Sequence, residues 1–396
     1  MTLRLYRDDP YLLHFEATVT ARSEHQGRPA VVLDQTAFYA ESGGQPWDTG
    51  SLSGVPVVAV IEHAGDVLHV LGAPLSADRV VGSVDAGRRQ DHRQQHHGQH
   101  LLSRAFVDVA QAQTVSFHLG AEVSSIDLDR EVTPEVVAAA ETRTNEVIWS
   151  ARPVSVRMVS QAEATALGVA VPAEVKGAVR LVEAEGFDLQ PCGGTHPRNT
   201  AEVGVVVVAG SERYKGVSRV RFLCGHRAVA AFRSGRTVLD QLAAAFSAPV
   251  SGLAEAATKT KGEVAELSKR LRALQEQSVE VEARRLFAGA SNTTPAVVVA
   301  AYEGWPPSDL RTLAQALVGL GPCVALLGSR ADKAYVALAQ SEGLGHDLPA
   351  LLQEALLKLG GKGGGRGNLV QGAGDPTLPL SPVLEGLAAK IRTPRP

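Results

Sequence analysis

Two widely separated pairs of metal-competent side chains constrain this chain more than any other feature. His96 and His100 lie four residues apart in a stretch that reads as a helix. On a helix this spacing places both imidazoles on one face, where they can bind a single ion. Cys192 and His196 flank a Gly-Gly-Thr turn, whose glycines allow the backbone to curl around the same ion. Because three imidazoles and one thiolate suit zinc, the sequence predicts one zinc ion per chain.

The spacing alone leaves alternatives open. His92 also lies four residues before His96, so the helical pair could be His92 and His96. Histidine-rich helix faces also arise without any metal, and four protein ligands are compatible with a purely structural ion. The Cys192 turn favours metal binding, because a thiol and an imidazole beside two glycines have little structural use. Cys323, by contrast, lies in an apolar run typical of a buried strand.

Composition indicates a globular protein with more than one domain. At 396 residues the chain is too long for one ordinary core, and its hydrophobic (44%) and charged (20%) fractions are ordinary. Three cysteines are too few for a disulfide framework and favour a reducing compartment. No apolar run has the length of a signal-peptide core or a membrane span. We therefore expect a cytoplasmic protein without a membrane partner.

The periodicity of apolar residues predicts an α+β multidomain fold. Residues 1–87 contain short alternating runs separated by turns, which predict a small β-barrel, with a sandwich as the alternative. Residues 88–226 combine a ligand-bearing helix, a second helix capped by Thr133, and several strands, which predict an α+β core with the zinc site. Residues 291–396 read as a small α/β domain.

Residues 227–290 are helical, with a break at Pro249. After that break, apolar residues from Thr260 to Val281 step alternately by four and three positions. This heptad stripe predicts a coiled-coil hairpin with the preceding helix. Homodimerisation through this C-terminal region is the alternative.

Local charge provides two further candidate sites. A net charge of −3 does not favour nucleic-acid binding by the whole surface. Residues 211–236, however, hold seven basic side chains against one acid, which suits either a phosphate contact or a solvated edge. Asp127 and Asp129 share one face of a predicted strand, where solvent exposure explains them better than catalysis.

The segments around the two pairs resemble a known family. His96-x-Gly-Gln-His100-Leu-Leu and Gly186-Phe-Asp-x-x-Pro-Cys192-Gly-Gly-Thr-His196 resemble the editing domain of alanyl-tRNA synthetases and the free-standing AlaX proteins. Related sites occur in threonyl-tRNA synthetase editing domains. The similarity continues in matching order through residues 34–50, 114–120, 215–220 and 361–374. The last of these resembles the DHHA1 domain, which in that family helps to hold tRNA.

The resemblance implies a function in editing. The expected reaction is hydrolysis of alanine tRNA charged with serine, with glycine as the second candidate amino acid, by a zinc-dependent ester hydrolase. It implies these zinc ligands: His96, His100, Cys192 and His196. It implies these catalytic residues: His96, His100 and Gln45. Substrate binding would fall to Thr36, which would bond a serine hydroxyl, and to Gln45, Gly43 and Gly44. The expected tRNA contacts are Lys215, Arg219, Lys362 and Arg366.

Some properties stay open at this stage. The first β domain begins almost at Met1, so we expect a trans-acting editor of the long AlaX type rather than a whole synthetase. His97 stands where relatives often carry a small residue, which leaves its effect on specificity undecided. Whether the ion activates water, anchors the substrate or is structural is also undecided. The competing functions are a non-catalytic zinc-containing tRNA-binding or regulatory protein and a zinc hydrolase of a small ester or amide.

Overall fold

The chain folds into two compact units, Met1–Leu242 and Ala243–Pro396. The structure, a computed structural model, describes residues 1–63, 65–171, 177–290 and 292–393. The predicted boundary at residue 291 and the last three residues of the predicted C-terminal domain lie outside the described residues. The α+β class predicted from periodicity is confirmed, whereas the division into four domains stays a prediction.

The first unit begins with a closed β-barrel. Its opening strands are β1 (Leu3–Arg4), β2 (His14–His25), β3 (Arg28–Leu33), β4 (Gln35–Thr36), β5 (Gly50–Leu52), β6 (Val55–His63), β7 (Asp66–Leu71) and β8 (Arg79–Val84). Six of them close in the order β2-β3-β7-β6-β5-β8, while β1 and β4 form a parallel pair beside a short 3-10 helix at Leu5–Arg7. Alternate side chains such as Val31 and Leu33 fill the interior, because successive strand residues face opposite sides.

The helix α1 (Ala86–Ala110) follows the barrel directly. Asp85 caps it by accepting a hydrogen bond from the Arg88 backbone N–H. Leu101, Leu102, Ala105 and Phe106 are buried, as the apolar stripe predicted. The prediction that Val109 belongs to this buried stripe was wrong, because the last helical turn extends beyond the core and leaves Val109 39% exposed.

Two antiparallel sheets, two further helices and most of a third complete the first unit. The strands are β9 (Thr114–Leu119), β10 (Ser124–Leu128), β11 (Val154–Val159), β12 (Val179–Ala184), β13 (Asp188–Pro191), β14 (Val206–Tyr214) and β15 (Val217–Cys224). They form the sheets β14-β15-β10-β9 and β11-β12-β13. The helices are α2 (Pro134–Trp149), α3 (Gln161–Ala166) and α4 (Gly225–Phe246), with a 3-10 turn at Thr200–Val203. The predicted cap of α2 is confirmed. The side chain of Thr133, which directly precedes Pro134, accepts a hydrogen bond from the Val136 backbone N–H.

The second unit contains the long helix α5 (Leu253–Ala290), which follows a 3-10 turn at Val250–Gly252. Apolar side chains of the heptad stripe on α5 are 57 to 68% exposed: Val264, Leu267, Leu271, Leu274 and Val281. The described structure therefore does not bury this stripe in the way that the predicted hairpin requires. The buried residues of α5 in the described structure, Val279 and Ala283, lie near its end and pack into the core of the C-terminal sheet.

The C-terminal sheet comprises β16 (Ala296–Glu303), β17 (Cys323–Arg330), β18 (Ala334–Gln340), β19 (Lys362–Arg366) and β20 (Leu369–Gly374). Their order is β16-β17-β18-β20-β19, and only the β16–β17 pair is parallel. Helices α6 (Pro307–Gly319), α7 (Leu348–Lys358) and α8 (Leu380–Arg392) cover it. Three consecutive glycines, residues 363–365, lie in the exposed edge strand β19. No helix in the described ranges has the length and apolar character needed to cross a membrane.

Candidate metal centre

The first unit brings four metal-competent side chains to one point. The ligand atoms of His96, His100, Cys192 and His196, here called the ligand group, all lie within 4.8 Å of one another. The Cys192 Sγ atom lies 3.4 Å from His96 Nε2 and 3.1 Å from His196 Nε2. The three histidines are buried and Cys192 is partly exposed. These are the four residues predicted as zinc ligands, and a group of this kind could hold a metal ion.

Helix α1 supplies the first half of the ligand group. His96 and His100 lie one helical turn apart, with their ring centroids separated by 5.1 Å. His92, the alternative partner of His96, is buried one turn earlier and does not belong to the group. The ambiguity that the spacing left open therefore resolves towards His96 and His100.

The turn after β13 supplies the second half. Gly194 passes so close to His96 that a Cβ atom at this position would lie 2.2 Å from the imidazole Cε1. Only glycine allows this approach of the backbone to the ring. Arg180 donates hydrogen bonds from Nη1 to the carbonyl oxygens of Cys192 (2.8 Å) and Gly194 (3.1 Å). The turn is thus held by a side chain from β12 as well as by its own backbone.

Each histidine of the ligand group has a partner on its outer nitrogen. The Nδ1 atom of His96 lies 2.8 Å from Gln45 Oε1, and that of His100 lies 3.3 Å from Asp188 Oδ2. The Nδ1 atom of His196 lies 3.1 Å from His97 Nδ1. With all three Nδ1 atoms engaged on the outside, the three Nε2 atoms are left for the centre. Such outer partners fix the tautomer and ring orientation of metal-ligating histidines, so this arrangement fits a zinc site.

The electrostatics of the ligand group couple the thiol to the imidazoles. Burial raises the pKa of the Cys192 thiol, but the imidazoles of the ligand group outweigh it and lower that pKa well below its ordinary value. Burial lowers the pKa of His100, but the Cys192 thiolate and Asp188 outweigh it and raise that pKa to about 10. Burial lowers the pKa of His196 to about 3. Cys192 is therefore available as the thiolate, the form that binds metal ions.

Gln45 is fully buried and belongs to the scaffold of the ligand group. Its Oε1 atom accepts from His96 and from the Thr195 backbone N–H (3.1 Å), and its Nε2 atom donates to the Thr195 hydroxyl at 2.9 Å. Its neighbour Gly44 packs against Phe117, where a Cβ atom would lie 2.5 Å from the ring. The predicted catalytic and substrate contacts of Gln45, and the substrate contacts of Gly43 and Gly44, stay predictions.

Thr36 lies inside the barrel with no exposed surface. Its hydroxyl lies 2.8 Å from His69 Nε2 and accepts from the Phe38 backbone N–H at 3.1 Å. The other ring nitrogen of His69 lies 3.3 Å from the Val31 carbonyl oxygen, which can only accept. His69 therefore carries its proton on Nδ1, and Thr36 donates to its Nε2. The predicted role of Thr36 in substrate binding stays a prediction.

The predicted tRNA contacts fall into two groups. In the basic segment, four of the seven basic side chains form ion pairs: Arg213–Glu131, Arg219–Asp127, Arg227–Asp91 and Arg236–Asp240. Much of its charge is therefore balanced locally, although Lys215 lies at the β14–β15 turn with no ion pair among the described residues. Lys362 and Arg366 bound the exposed strand β19 of the second unit.

The interpretation of Asp127 as a solvated carboxylate was wrong. Its side chain is buried and bonds both the guanidinium of Arg219, at 2.6 and 2.8 Å, and the Ser116 hydroxyl, at 2.8 Å. Asp129 instead accepts from the Gln113 backbone N–H and pairs with Arg130. Asp127 is structural, because the neighbouring strands β9 and β15 place a hydroxyl and a guanidinium beside it, whereas Asp129 is exposed, as predicted.

Comparisons with known proteins bear on this centre. The family described as the threonyl and alanyl tRNA synthetase second additional domain matches residues 179–221. The alanyl-tRNA editing protein AlaX-L of Pyrococcus horikoshii is 30% identical over 385 residues, covering 94% of this chain and 94% of that protein. This chain belongs to the family of alanyl-tRNA editing proteins.

Other relatives agree with this assignment. The alanyl-tRNA editing protein Aarsd1-B of Xenopus laevis is 36% identical over 203 residues, which is 50% of this chain and 49% of that protein. Alanine–tRNA ligase of Methanoculleus marisnigri is 33% identical over 399 residues, covering 97% of this editing-family chain but only 43% of the ligase. The predicted AlaX resemblance is confirmed, whereas the DHHA1 assignment of the C-terminal segment stays a prediction.

Proposed function

We propose that this protein is a trans-acting hydrolase that removes serine, and secondarily glycine, from wrongly charged alanine tRNA, with one zinc ion held by the ligand group. The observation that carries the proposal is the convergence of the four ligand atoms within 4.8 Å in a chain of the alanyl-tRNA editing family. Bound zinc would supply a Lewis acid beside the ester carbonyl. The partner would be alanine tRNA, and the reaction would break the ester bond between the amino acid and the terminal ribose.

The chain's own residues would prepare this chemistry by holding the ligand group rigidly. Gln45 and Asp188 engage the outer nitrogens of His96 and His100, which leaves Nε2 of each ring for the ion. Arg180 holds the backbone of the Cys192 turn. Because Gln45 and Asp188 are buried and Arg180 is partly buried, the ligands need little rearrangement when the ion binds, and preorganisation of this kind favours catalysis.

Discrimination against alanine would depend on Thr36. Its hydroxyl accepts from Phe38 and donates to His69, so the hydroxyl oxygen has one lone pair left to accept a hydrogen bond. A serine hydroxyl that reached this buried oxygen would donate that bond, whereas the methyl group of alanine would not. Sites built to bond a hydroxyl reject analogues that lack it, because a buried polar group is then left unpaired.

Contacts to tRNA would come from cations that have no acidic partner. Lys215 meets this condition in the first unit, and Lys362 and Arg366 meet it in the second, among the residues that the structure describes. Arg219 is bound to Asp127 and would contribute less net charge. Phosphate contacts of this kind carry no sequence information, so they would position the tRNA rather than select the amino acid.

The deciding experiment measures deacylation of serine-charged and alanine-charged alanine tRNA by the purified protein. Cys192→Ala is compared with Cys323→Ala, which removes a buried thiol far along the chain from the ligand group. We expect loss of serine with alanine spared, abolished by Cys192→Ala and retained by Cys323→Ala. Circular dichroism establishes that both variants fold. Bound zinc without turnover of serine or glycine esters would refute the proposal and favour a non-catalytic tRNA-binding protein.

A further inference from the structure

His97 lies beside the ligand group without belonging to it. Its side chain is 1% exposed, and its Nδ1 atom lies 3.1 Å from Nδ1 of His196. The opposite nitrogen of His196, Nε2, lies 3.1 Å from Cys192 Sγ at the centre of the group. His97 therefore contacts the ligand His196 at Nδ1, which is the His196 nitrogen that points away from the ion site.

Two facing imidazole nitrogens can form a hydrogen bond only when one carries a proton and the other does not. A histidine that binds a cation through Nε2 must carry its own proton on Nδ1. His196 must then donate from Nδ1, and His97 must accept at Nδ1 and carry its proton on Nε2. The Nε2 atom of His97 has no hydrogen-bond partner among the described residues, so no protein group on its far side imposes the opposite tautomer.

The other two histidines of the ligand group have outer partners that can only accept through the contacting atom. For His96 that atom is the amide oxygen of Gln45, which is identified as the oxygen because it also accepts from the Thr195 N–H. For His100 it is a carboxylate oxygen of Asp188. Within the described ranges His196 has no carboxylate or amide partner on Nδ1, and its partner there is His97. The orientation of His196 thus depends on His97, which must be in the tautomer that leaves its Nδ1 free to accept a hydrogen bond.

We propose that His97 is the positioning residue for His196, accepting its Nδ1–H bond and so presenting Nε2 to the ion. This inference rests on the metal centre of the proposed function. It assigns His97 to metal affinity and ligand orientation, and it gives His97 no contact with the substrate. Loss of an outer partner of this kind typically weakens metal binding by about 10- to 100-fold.

The test compares two substitutions at position 97. His97→Asn keeps an acceptor oxygen close to the place of Nδ1, whereas His97→Leu keeps the volume and removes the acceptor. Zinc affinity is measured by competition with a chromophoric chelator. We expect His97→Leu to bind zinc about 10- to 100-fold more weakly and His97→Asn to lie within about threefold of the unchanged protein.

His92→Leu is the matched control. His92 is a buried histidine on the same helix, and its Nδ1 atom also has no partner among the residues described. Because His92 lies outside the ligand group, we expect its substitution to leave zinc affinity unchanged. Thermal unfolding in the presence of a chelator shows whether each variant keeps its fold when no metal contributes.

A second readout reports the tautomer itself. Long-range ¹H–¹⁵N spectra of the zinc-loaded protein should show His196 protonated on Nδ1 in the unchanged protein and in His97→Asn. Equal zinc affinity of His97→Leu and the unchanged protein would overturn the inference alone. A His196 proton on Nε2 would overturn both the inference and the place of His196 in the ligand group, because a protonated Nε2 cannot bind the ion. Failure of the unchanged protein to bind zinc would overturn the inference and the metal centre together. Failure of deacylation with this zinc dependence intact would refute only the proposed activity.

Discussion

Gly194→Ala places a methyl group inside the ligand group without removing any ligand. The added Cβ atom would lie 2.2 Å from Cε1 and 2.4 Å from Nδ1 of His96, and 2.9 Å from Gln45 Oε1. Carbon atoms in ordinary contact are about 3.5 to 4.0 Å apart, so the ring would have to withdraw by more than about 1 Å. It cannot do so freely, because Gln45 is buried and is itself fixed by Thr195.

The magnitude follows from the tolerance of metal sites. Ligand atoms must lie within about 0.5 Å of their productive positions, and the displacement of His96 exceeds this limit. We therefore expect Gly194→Ala to weaken zinc binding by at least about 100-fold, equivalent to about 3 kcal/mol. Overpacking should also cost about 1 to 3 kcal/mol of stability in the protein without zinc.

The neighbouring glycine provides the matched control. A Cβ atom at Gly193 would meet no heavy atom within 4 Å, and neither glycine has a positive φ angle. Gly193→Ala should therefore bind zinc like the unchanged protein. Zinc affinity is measured by chelator competition, and stability by denaturant unfolding with excess chelator. If Gly194→Ala and Gly193→Ala bind zinc equally well, the geometric account of this turn is wrong.

Three further predictions concern packing, pH and tRNA. Gly98→Ala would place a Cβ atom 2.3 Å from Cys224 Sγ, so denaturant unfolding should show a free energy of unfolding lower by about 1 to 3 kcal/mol. Adding Cys224→Ala removes the sulfur and should restore most of that loss. A more stable Gly98→Ala variant would contradict this prediction. Burial lowers the pKa of His69 to about 4, below its unfolded value of about 6.5, so the unfolded state takes up the proton first. Stability should therefore fall by up to about 3 kcal/mol as pH drops from 6.5 to 4, and unfolding of His69→Gln, measured across the same range, should depend less on pH. Lys362→Ala should weaken tRNA binding in a filter-binding assay and reduce the slope of log affinity against log salt concentration by about 0.7 to 0.9. Lys358 forms an ion pair with Glu354, so Lys358→Ala should change this slope less.

The ligands of the candidate centre could be predicted from sequence because their spacing is local. The helical period places His96 and His100 together, and the glycine turn does the same for Cys192 and His196. The choice between His92 and His100 could not be made locally, since both lie one turn from His96 and only tertiary contact with the Cys192 turn separates them.

The outer partners could not be predicted in the same way. Gln45, His97 and Asp188 belong to three distant segments, and each role depends on which nitrogen of a ligand it meets. The cap of α2 was predictable because Thr133 acts on its own helix. The need for glycine in β19 and β20 could not be predicted, because it depends on contacts between segments. A Cβ atom at Gly363 would lie 2.4 Å from the Gly372 Cα atom of β20, and one at Gly372 would lie 2.7 Å from the Leu356 side chain of α7.

Helix α1 has a consequence for how this protein can be taken apart. The predicted boundary at residues 87 and 88 falls inside the helix, which begins at Ala86. Arg89 anchors the helix in the barrel through Asp48, and Gln45 extends from the barrel side to His96. A barrel excised or exchanged at that boundary would take with it the partner that orients a ligand. The barrel and the centre are therefore structurally coupled, and a chimaera that separates them would lose the contact of Gln45 with His96 and the ion pair of Arg89 with Asp48.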